Sequence, residues 1–397
     1  MKAASREKVI SPTFLLVTFA TFAYFLAVGA IIPTLPRYVE GPLNSGSIAV
    51  GLAMGAFALT AVVLRPLVGR ISDTRGRKIL IILGGTIVGA TIFGYALTES
   101  TPALIVLRLL TGVGEAGFYV GVASVVNDLA PESRRGEAIS YFSLALFLGL
   151  ALGPIVGEST LEAIGYDAVW FMAGASAVLA GVVGMFVPET RPPDAALAPG
   201  GPILHRAAIK PGTVLSTHIW ALATFSSFVP LYALSLGLSG SRFVFALHSV
   251  LILGIRLFGA RLPDRLGPRR AAVFALTFTA IGLAIMAAWA SPMGLYVGAV
   301  AFSLGHALAF PALMTLAIRG APAAERGSVV GTFTAFFDGA FGVGAISAGA
   351  LAGALGYRGA FGGAALIAVV GLGVLSGFRA EAAPSKIEPA VDPAASR

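Results

Sequence analysis

Twelve apolar runs, each long enough to cross a lipid bilayer, constrain this chain more than any other feature of its sequence. They lie near 13–36, 47–69, 79–97, 102–126, 137–160 and 168–187, and again near 213–236, 241–261, 270–290, 293–317, 327–353 and 359–378. A helical span needs about 20 residues, and backbone polar groups within hydrocarbon must be satisfied inside the segment, so such runs form α-helices. Buried helices of a water-soluble protein do not explain them, because only 12% of the residues are charged where a soluble domain carries roughly a quarter. The 50 glycines agree: helices that associate in lipid gain close approach from small residues rather than from a hydrophobic driving force. The expected fold is an all-α membrane protein of twelve transmembrane helices.

The runs fall into two sets of six. Between them, residues 189–212 contain PPDAALAPGGP, which cannot bury enough apolar surface to pack, and the tail 379–397 is polar, proline-rich and expected to be disordered. Arg65 and Arg256, Asp73 and Asp264, Gly76 and Gly267, Pro131 and Pro322, Arg135 and Arg326, Gly136 and Gly327, Gly165 and Gly356, and Tyr166 and Tyr357 each stand 191 positions apart. One offset held over so long a stretch marks an internal repeat. An even number of spans per copy makes the copies parallel, related by an axis along the membrane normal. Residues 1–188 and 213–378 are therefore expected to form two pseudosymmetric six-helix bundles joined by a cytoplasmic linker at 189–212.

The net charge of +8 does not point to nucleic acid, whose binders gather basic residues on one folded face. Here they sit in short loops. Of the 27 Lys and Arg, Arg37, Arg242 and Arg358 fall on one side of the membrane, Arg65, Arg108 and Arg256 fall within or at the ends of spans, and the other 21 share the opposite side with both termini. That bias places both termini in the cytoplasm of a multi-pass protein of the cytoplasmic (inner) membrane. The first run is too long for a signal-peptide core and lacks a small-residue cleavage site, so it is expected to remain as a span. With no cysteine, disulfides and thiolate metal sites are excluded, and no metal or cofactor is expected. No nucleotide-binding P-loop is present, so active transport would draw on an ion gradient.

The fourteen residues from Arg65 to Lys78, RPLVGRISDTRGRK, close the second span and open the third. A loop this charged and this short makes its flanking spans antiparallel neighbours, and its basic residues hold it inside the cell. Gly69, Asp73, Gly76, Arg77 and Lys78 resemble the G-x-x-x-D-x-x-G-R-K/R signature between helices two and three of the major facilitator superfamily, with a basic residue at Arg75 where the family usually has one at the position of Thr74. The resemblance covers essentially the whole chain apart from linker and tail. It implies a charge chain from Asp73 through Arg77 to Asp128, with Asp73 also facing the positive N-terminal end of span eleven near Gly327 and Ser328. Such a cluster would latch the halves together on the cytoplasmic side in the outward-facing state. The second hairpin, GARLPDRLGPRR, keeps Asp264, Gly267 and Arg269 but has Ala260 and Pro268 in place of a glycine and an arginine, which implies a weaker latch. The simpler alternative is that the charges of the first hairpin only fix topology.

Span five carries GLALGPIVGE, in which Gly149, Gly153, Pro154 and Gly157 resemble the G-x-x-x-G-P-x-x-G-G pattern of the superfamily's antiporters, with Glu158 in place of the last glycine. Three glycines on one face and a proline bend also describe ordinary close packing. In span four, Arg108 and Gly112 resemble the R-x-x-x-G motif of the family's proton-coupled members, although an arginine near the outer end could equally snorkel to the interface. Glu115 follows two turns later on nearly the same face. Asp338, about a dozen residues into span eleven, is costly if charged among apolar neighbours. His306 stands 191 beyond Glu115, in the pseudosymmetric place in span ten, where a hydrogen-bonded structural histidine is the alternative. His248 and His218 rank lower. Asp338, Glu115, Arg108, His306 and Glu158 are the candidates for proton coupling, with Asp338 first and Glu158 placed near the outer end, within reach of water.

Pro33 and Pro36 kink the outer end of span one. Tyr24, Tyr119, Phe142, Tyr232, Phe310 and Phe337 are candidate cavity aromatics, drawn from a wider set with Phe22, Phe25, Phe118, Phe147, Phe225, Phe228, Phe333 and Phe336; packing or lipid contact is the alternative for each. The resemblance implies a monomeric, non-enzymatic secondary transporter in the lipid bilayer that exports a small drug-like or metabolic compound in exchange for protons. A proton-coupled uptake symporter for a sugar or other metabolite would share the fold, and only the span-five pattern opposes it. A receptor or scaffold of transporter ancestry is a third class, in which Glu115 and Asp338 would be costly relics.

Overall fold

The computed structural model describes residues 10–131, 134–191, 204–258, 266–319, 321 and 325–377. Among these the secondary structure is helical, without strands: α1 Pro12–Glu40, α2 Ser47–Arg75, α3 Lys78–Tyr95, α4 Thr101–Leu129, α5 Arg135–Ala163, α6 Tyr166–Phe186, α7 Arg206–Ser235, α8 Arg242–Phe258, α9 Pro268–Ala288 and α10 Pro292–Arg319. The last helical stretch, Arg326–Ser376, breaks at Gly356, where φ is 71° and ψ 177°. Two spans meet there, α11 (326–355) and α12 (357–376), which completes the expected twelve. Asp264, most of the linker and the tail 379–397 lie outside the described residues.

Two element ends differ from expectation. α1 continues through Pro33 and Pro36 to Glu40, because that stretch is buried, Leu35 and Val39 completely, and packing outweighs the lost backbone bonds. α7 begins at Arg206, inside the expected linker and ahead of Pro211 and Gly212, with the His205 ring accepting from the Ala207 N–H at 3.2 Å. Its first turns are held by burial of Ala208, Pro211 and Gly212.

The repeat is physical as well as textual. Gly76 and Gly267 take φ of 104° and 78°, and Gly165 and Gly356 take 120° and 71°, a region glycine alone enters freely. Each half thus reuses the same two tight turns. In the first half α1 packs on α5 and α6, α2 on α4, and α3 on α4 and α6; in the second, α9 packs on α10, and α7 packs on the Arg326–Ser376 stretch and on α10. The halves meet along α2 with α11, α5 with α8 and α1 with α7. The α2–α11 seam is close: a methyl group on Gly55 would lie 2.5 Å from the Gly342 carbonyl. Apolar side chains such as Val63, Phe186 and Leu366 are exposed on the outside of the bundle, as hydrocarbon surroundings require. Chain direction puts the start of α1, the α2–α3 turn and the end of α6 on one face, called here the termini face; the α5–α6, α7–α8 and α11–α12 turns share the far face.

Candidate functional site

A cavity of about 220 Å³ lies between the halves, walled by α1 to α5 of the first and α7, α8, α10 and α11 of the second. Its lining is mostly apolar, and its ionisable groups are Arg108, Glu115, His248, His306 and Asp338. An apolar pocket with a few convergent polar groups is the usual form of a ligand site.

On the first half, Arg108 does not snorkel. It is 6% exposed; its Nε donates to Ala53 O at 2.7 Å and its Nη1 to Tyr95 Oη at 3.4 Å, while its guanidinium lies 4.5 Å from the centre of the Phe57 ring. The internal partners replace water, so the arginine stays within the bundle. Glu115, two turns along α4, lines the cavity and has no hydrogen-bond partner among the described residues. It lies within electrostatic reach of Asp338, Arg108 and Arg65.

Arg65 is the residue the sequence left without a role. From α2 it crosses to α11 and holds Asp338 through two bonds, Nε to Oδ2 and Nη2 to Oδ1, the latter at 3.0 Å. The Asp338 side chain is 8% exposed, so this is a nearly buried link between the halves. Arg256, its counterpart in the repeat, crosses the other way from α8 to α5. It lies 3.9 Å from the centre of the Phe147 ring, and its Nε is buried without a hydrogen-bond partner among the described residues. The two contacts are equivalent in the repeat, since Phe147 and Asp338 are also 191 apart.

The second half contributes histidines. His218 Nε2 lies 2.8 Å from His306 Nδ1, His218 Nδ1 lies 3.0 Å from Thr279 Oγ1, and His248 Nδ1 lies 2.8 Å from Ser303 Oγ. His306 and His248 line the cavity, and the expectation of a lone histidine in span ten gives way to a hydrogen-bonded His218–His306 pair with the His248 ring 5.4 Å from that of His306.

Glu158 is placed differently from expectation. It is fully buried at the far face, not solvated and not in the cavity. Its carboxylate accepts from Ser241 N at 2.8 Å, from Ser241 Oγ at 2.8 Å and from Arg242 N, with Arg37 Nη1 at 3.5 Å. The first turn of α8 covers it, which is why its place near the end of a span does not bring water. Glu162 pairs with Arg242, and Tyr357 Oη donates to Glu40 at 2.8 Å, so three carboxylates of the first half are met by donors of the second. The glycines of the span-five pattern serve packing: methyl groups on Gly149, Gly153 and Gly157 would meet Leu26 N at 2.8 Å, Gly29 Cα at 2.5 Å and Ala30 O at 2.6 Å on α1. Pro154 lines the cavity.

At the termini face the charge chain forms within the first half. Arg77 Nε donates to Asp128 at 2.9 Å and Nη1 to Ser72 O at 3.0 Å, and Asp73 lies 3.9 Å from Nη2. Among the described residues Asp73 makes no bond to α11; its side chain is 68% exposed, and Gly69 has open space around it. Glu189, just after α6, completes the junction by accepting from Arg77 N at 3.0 Å and Lys78 N at 3.1 Å at the start of α3. Burial favours its neutral form, but the N–H groups of Arg77, Arg191, Lys78 and Thr190 hold its carboxyl below the usual range.

Of the six cavity aromatics expected, Phe337 lines the cavity. Tyr24 is stacked on Phe118 at 4.0 Å in the first half's core, Phe142 is buried, Tyr119 lies under Arg65, Tyr232 donates to Met286 O at 2.9 Å, and Phe310 packs on Phe333. Phe25 and Phe147 of the wider set do line it, as do Phe57, Phe245 and Phe341.

Residues 17–337 and 242–396 match the sequence family described as the Major Facilitator Superfamily. An uncharacterised MFS-type transporter of Salmonella typhimurium is 29% identical over 380 residues, spanning 92% of this chain and 96% of that protein. Another, of Methanocaldococcus jannaschii, is 24% identical over 374 residues, spanning 91% and 96%. Among solved structures, the human organic anion transporter MFSD10 (TETRAN) aligns with a TM-score of 0.70 at 19% identity over 92% of this chain and 100% of that one. A POT family transporter in complex with a thioalcohol-conjugated peptide aligns with a TM-score of 0.77 at 13% identity, over 91% and 95%. At these identities the structural likeness shows the fold.

Proposed function

Because the chain belongs to the Major Facilitator Superfamily of membrane transporters, we propose that it exports a small organic compound in exchange for protons, by alternating access of the central cavity. The observation that carries the coupling is the Arg65–Asp338 pair, which ties α2 to α11 beside that cavity. The tie lasts only while Asp338 is ionised. A proton on Asp338 leaves Arg65 uncompensated, and losing one partner of a buried pair costs about 3–5 kcal/mol. Conformational states that differ by a few kcal/mol change places under such a load. Protonated Asp338 therefore favours opening toward the termini face, where it gives up the proton and recaptures Arg65.

The far-face bonds of Glu40, Glu158 and Glu162 support assigning this conformation to the state closed to the outside. Asp73, Arg77 and Asp128 are the latch of the opposite state, where Asp73 meets α11; in the present state, closed to the outside, the Arg65–Asp338 tie is what still restrains the termini face. The Lys and Arg bias supports a cytoplasmic termini face in the inner membrane, and the span-five resemblance supports the export direction. A single cysteine at Ala198 is expected to label only from inside the cell. The direct test uses inverted vesicles with an imposed proton gradient and a compound found by ligand-stabilisation screening. Accumulation against the gradient's decay is the expected result, and gradient-driven depletion of preloaded vesicles would indicate uptake. Flux indifferent to the gradient overturns the proposal.

A further inference from the structure

For neutral imidazole rings, hydrogen-bond counting fixes the proton positions of the cavity histidines. Thr279 Oγ1 gives its one hydrogen to Ala275 O at 2.8 Å, so toward His218 it can only accept, and His218 carries its proton on Nδ1. His218 Nε2 is then a lone pair, and His306 Nδ1, 2.8 Å away, must be the donor to it. His306 is left with an unprotonated Nε2. The same count holds at His248: Ser303 Oγ donates to Ala299 O at 2.5 Å, accepts from His248 Nδ1 at 2.8 Å, and leaves His248 Nε2 as a second lone pair.

Both residues line the cavity with ring centres 5.4 Å apart. Phe302 lies against both, 5.6 Å from the His248 ring and 6.0 Å from the His306 ring, so the acceptors are held in place. Among the described residues no protein group donates to either Nε2. Across the cavity, the position equivalent to His306 in the repeat is Glu115, another acceptor without a donor among the described residues. The hydrogens that complete these groups must come from what enters the cavity.

Size and lining narrow the class. An apolar cavity of about 150 Å³ admits one benzene ring, so about 220 Å³ admits a ring with substituents. Phe25, Phe57, Phe147, Phe245, Phe337 and Phe341 supply aromatic surface around it. We infer that His248 and His306 form a recognition subsite for a small aromatic compound bearing hydroxyl or N–H donors, which they bind through Nε2. This names the substrate class of the cavity and rests on its being the transport site. A carboxylate or an ether in the same place would set lone pairs against lone pairs and leave both acceptors unpaired.

The test uses purified full-length protein and three probes of similar size: 1,2-dihydroxybenzene, its dimethyl ether and benzoate, each titrated while thermal unfolding is followed. The dihydroxy compound is expected to stabilise the protein at concentrations at least tenfold below either of the others. That preference should disappear in His248→Phe and in His306→Leu. His248→Phe is expected to fold, since Phe57 fills the equivalent place in the repeat and Ser303 keeps its bond to Ala299. Equal responses to the three probes, a response to benzoate alone, no response to any, or an undiminished preference in either variant overturns the assignment. Gradient-driven flux is scored separately in inverted vesicles. Preference without such flux keeps the subsite and removes the exporter proposal, whereas flux without preference does the reverse.

Discussion

The two halves place an arginine at the same point of the repeat and give it opposite company. Arg65 and Arg256 each cross to the other half, one onto the Asp338 carboxylate and the other onto the Phe147 ring. In the proposed cycle the first contact is lost when its partner takes a proton. The second is a cation–π contact, worth about 0.5–2 kcal/mol, and its ring has no proton to gain. The repeat thus supplies two crossing arms, and in the proposed cycle one residue on α11 makes one of them responsive to protons. The cavity walls divide in the same way, with Glu115 and Phe57 on the first half where His306 and His248 stand on the second.

The largest expected effect breaks the responsive arm. Asp338→Asn or Arg65→Leu should lower gradient-driven transport by on the order of a hundredfold while ligand binding persists. The double variant Arg65→Leu/Asp338→Leu should regain thermal stability, since a buried pair replaced by apolar groups is often neutral, but not coupling. Recovery of coupling in the double variant would separate the pair from the proton.

Next in size is Glu158→Gly, which restores the glycine of the antiporter pattern and strips the far face of its acceptor. The variant should lose about 2–4 kcal/mol of stability, measured by denaturation, and become more open to impermeant reagents from outside. Smaller is Phe147→Asp, which gives Arg256 a carboxylate. Turnover at neutral pH is expected to slow several-fold and a second pH-dependent step to appear in the transport profile; an unchanged profile would mean that the two arms are not equivalent.

The smallest concerns Glu189, which lies outside the repeat's crossing arms. Its carboxyl is held below the ordinary range, near 4.3 for glutamate, so its contribution is complete above that value and is lost only as pH falls through the lower folded value. Protection of the Arg77 and Lys78 amides from hydrogen exchange, taken relative to the intrinsic rate at each pH, should therefore fall in strong acid, and Glu189→Gln should remove that dependence.

Much of this was legible in the sequence. The apolar runs give the spans, the offset gives the repeat down to its four positive-φ glycines, and the ionisable residues Arg108, Glu115, His306 and Asp338 do meet in one cavity. Arg65 was not legible as a partner of Asp338, because an offset shows which positions are equivalent within the halves and not which touch between them. The cavity aromatics were hard to choose because helices apolar on every side carry no stripe to show which face looks inward. Glu158 failed for a related reason: its cover is the start of α8, 83 residues away in sequence.

Whether a proton on Asp338 releases the Arg65 arm and lets the termini face open can be tested without knowing the substrate. The chain has no cysteine of its own, so spin labels can be placed on cysteines introduced at Thr74 and Arg270, exposed on the termini face of opposite halves. Their distance distribution is then recorded as pH is lowered. Acid is expected to shift the wild-type distribution toward longer distances, Asp338→Asn to show the longer distances at every pH, and Glu115→Gln to keep the wild-type response. A pH response that survives in Asp338→Asn and vanishes in Glu115→Gln would contradict that release and move the proton site to α4.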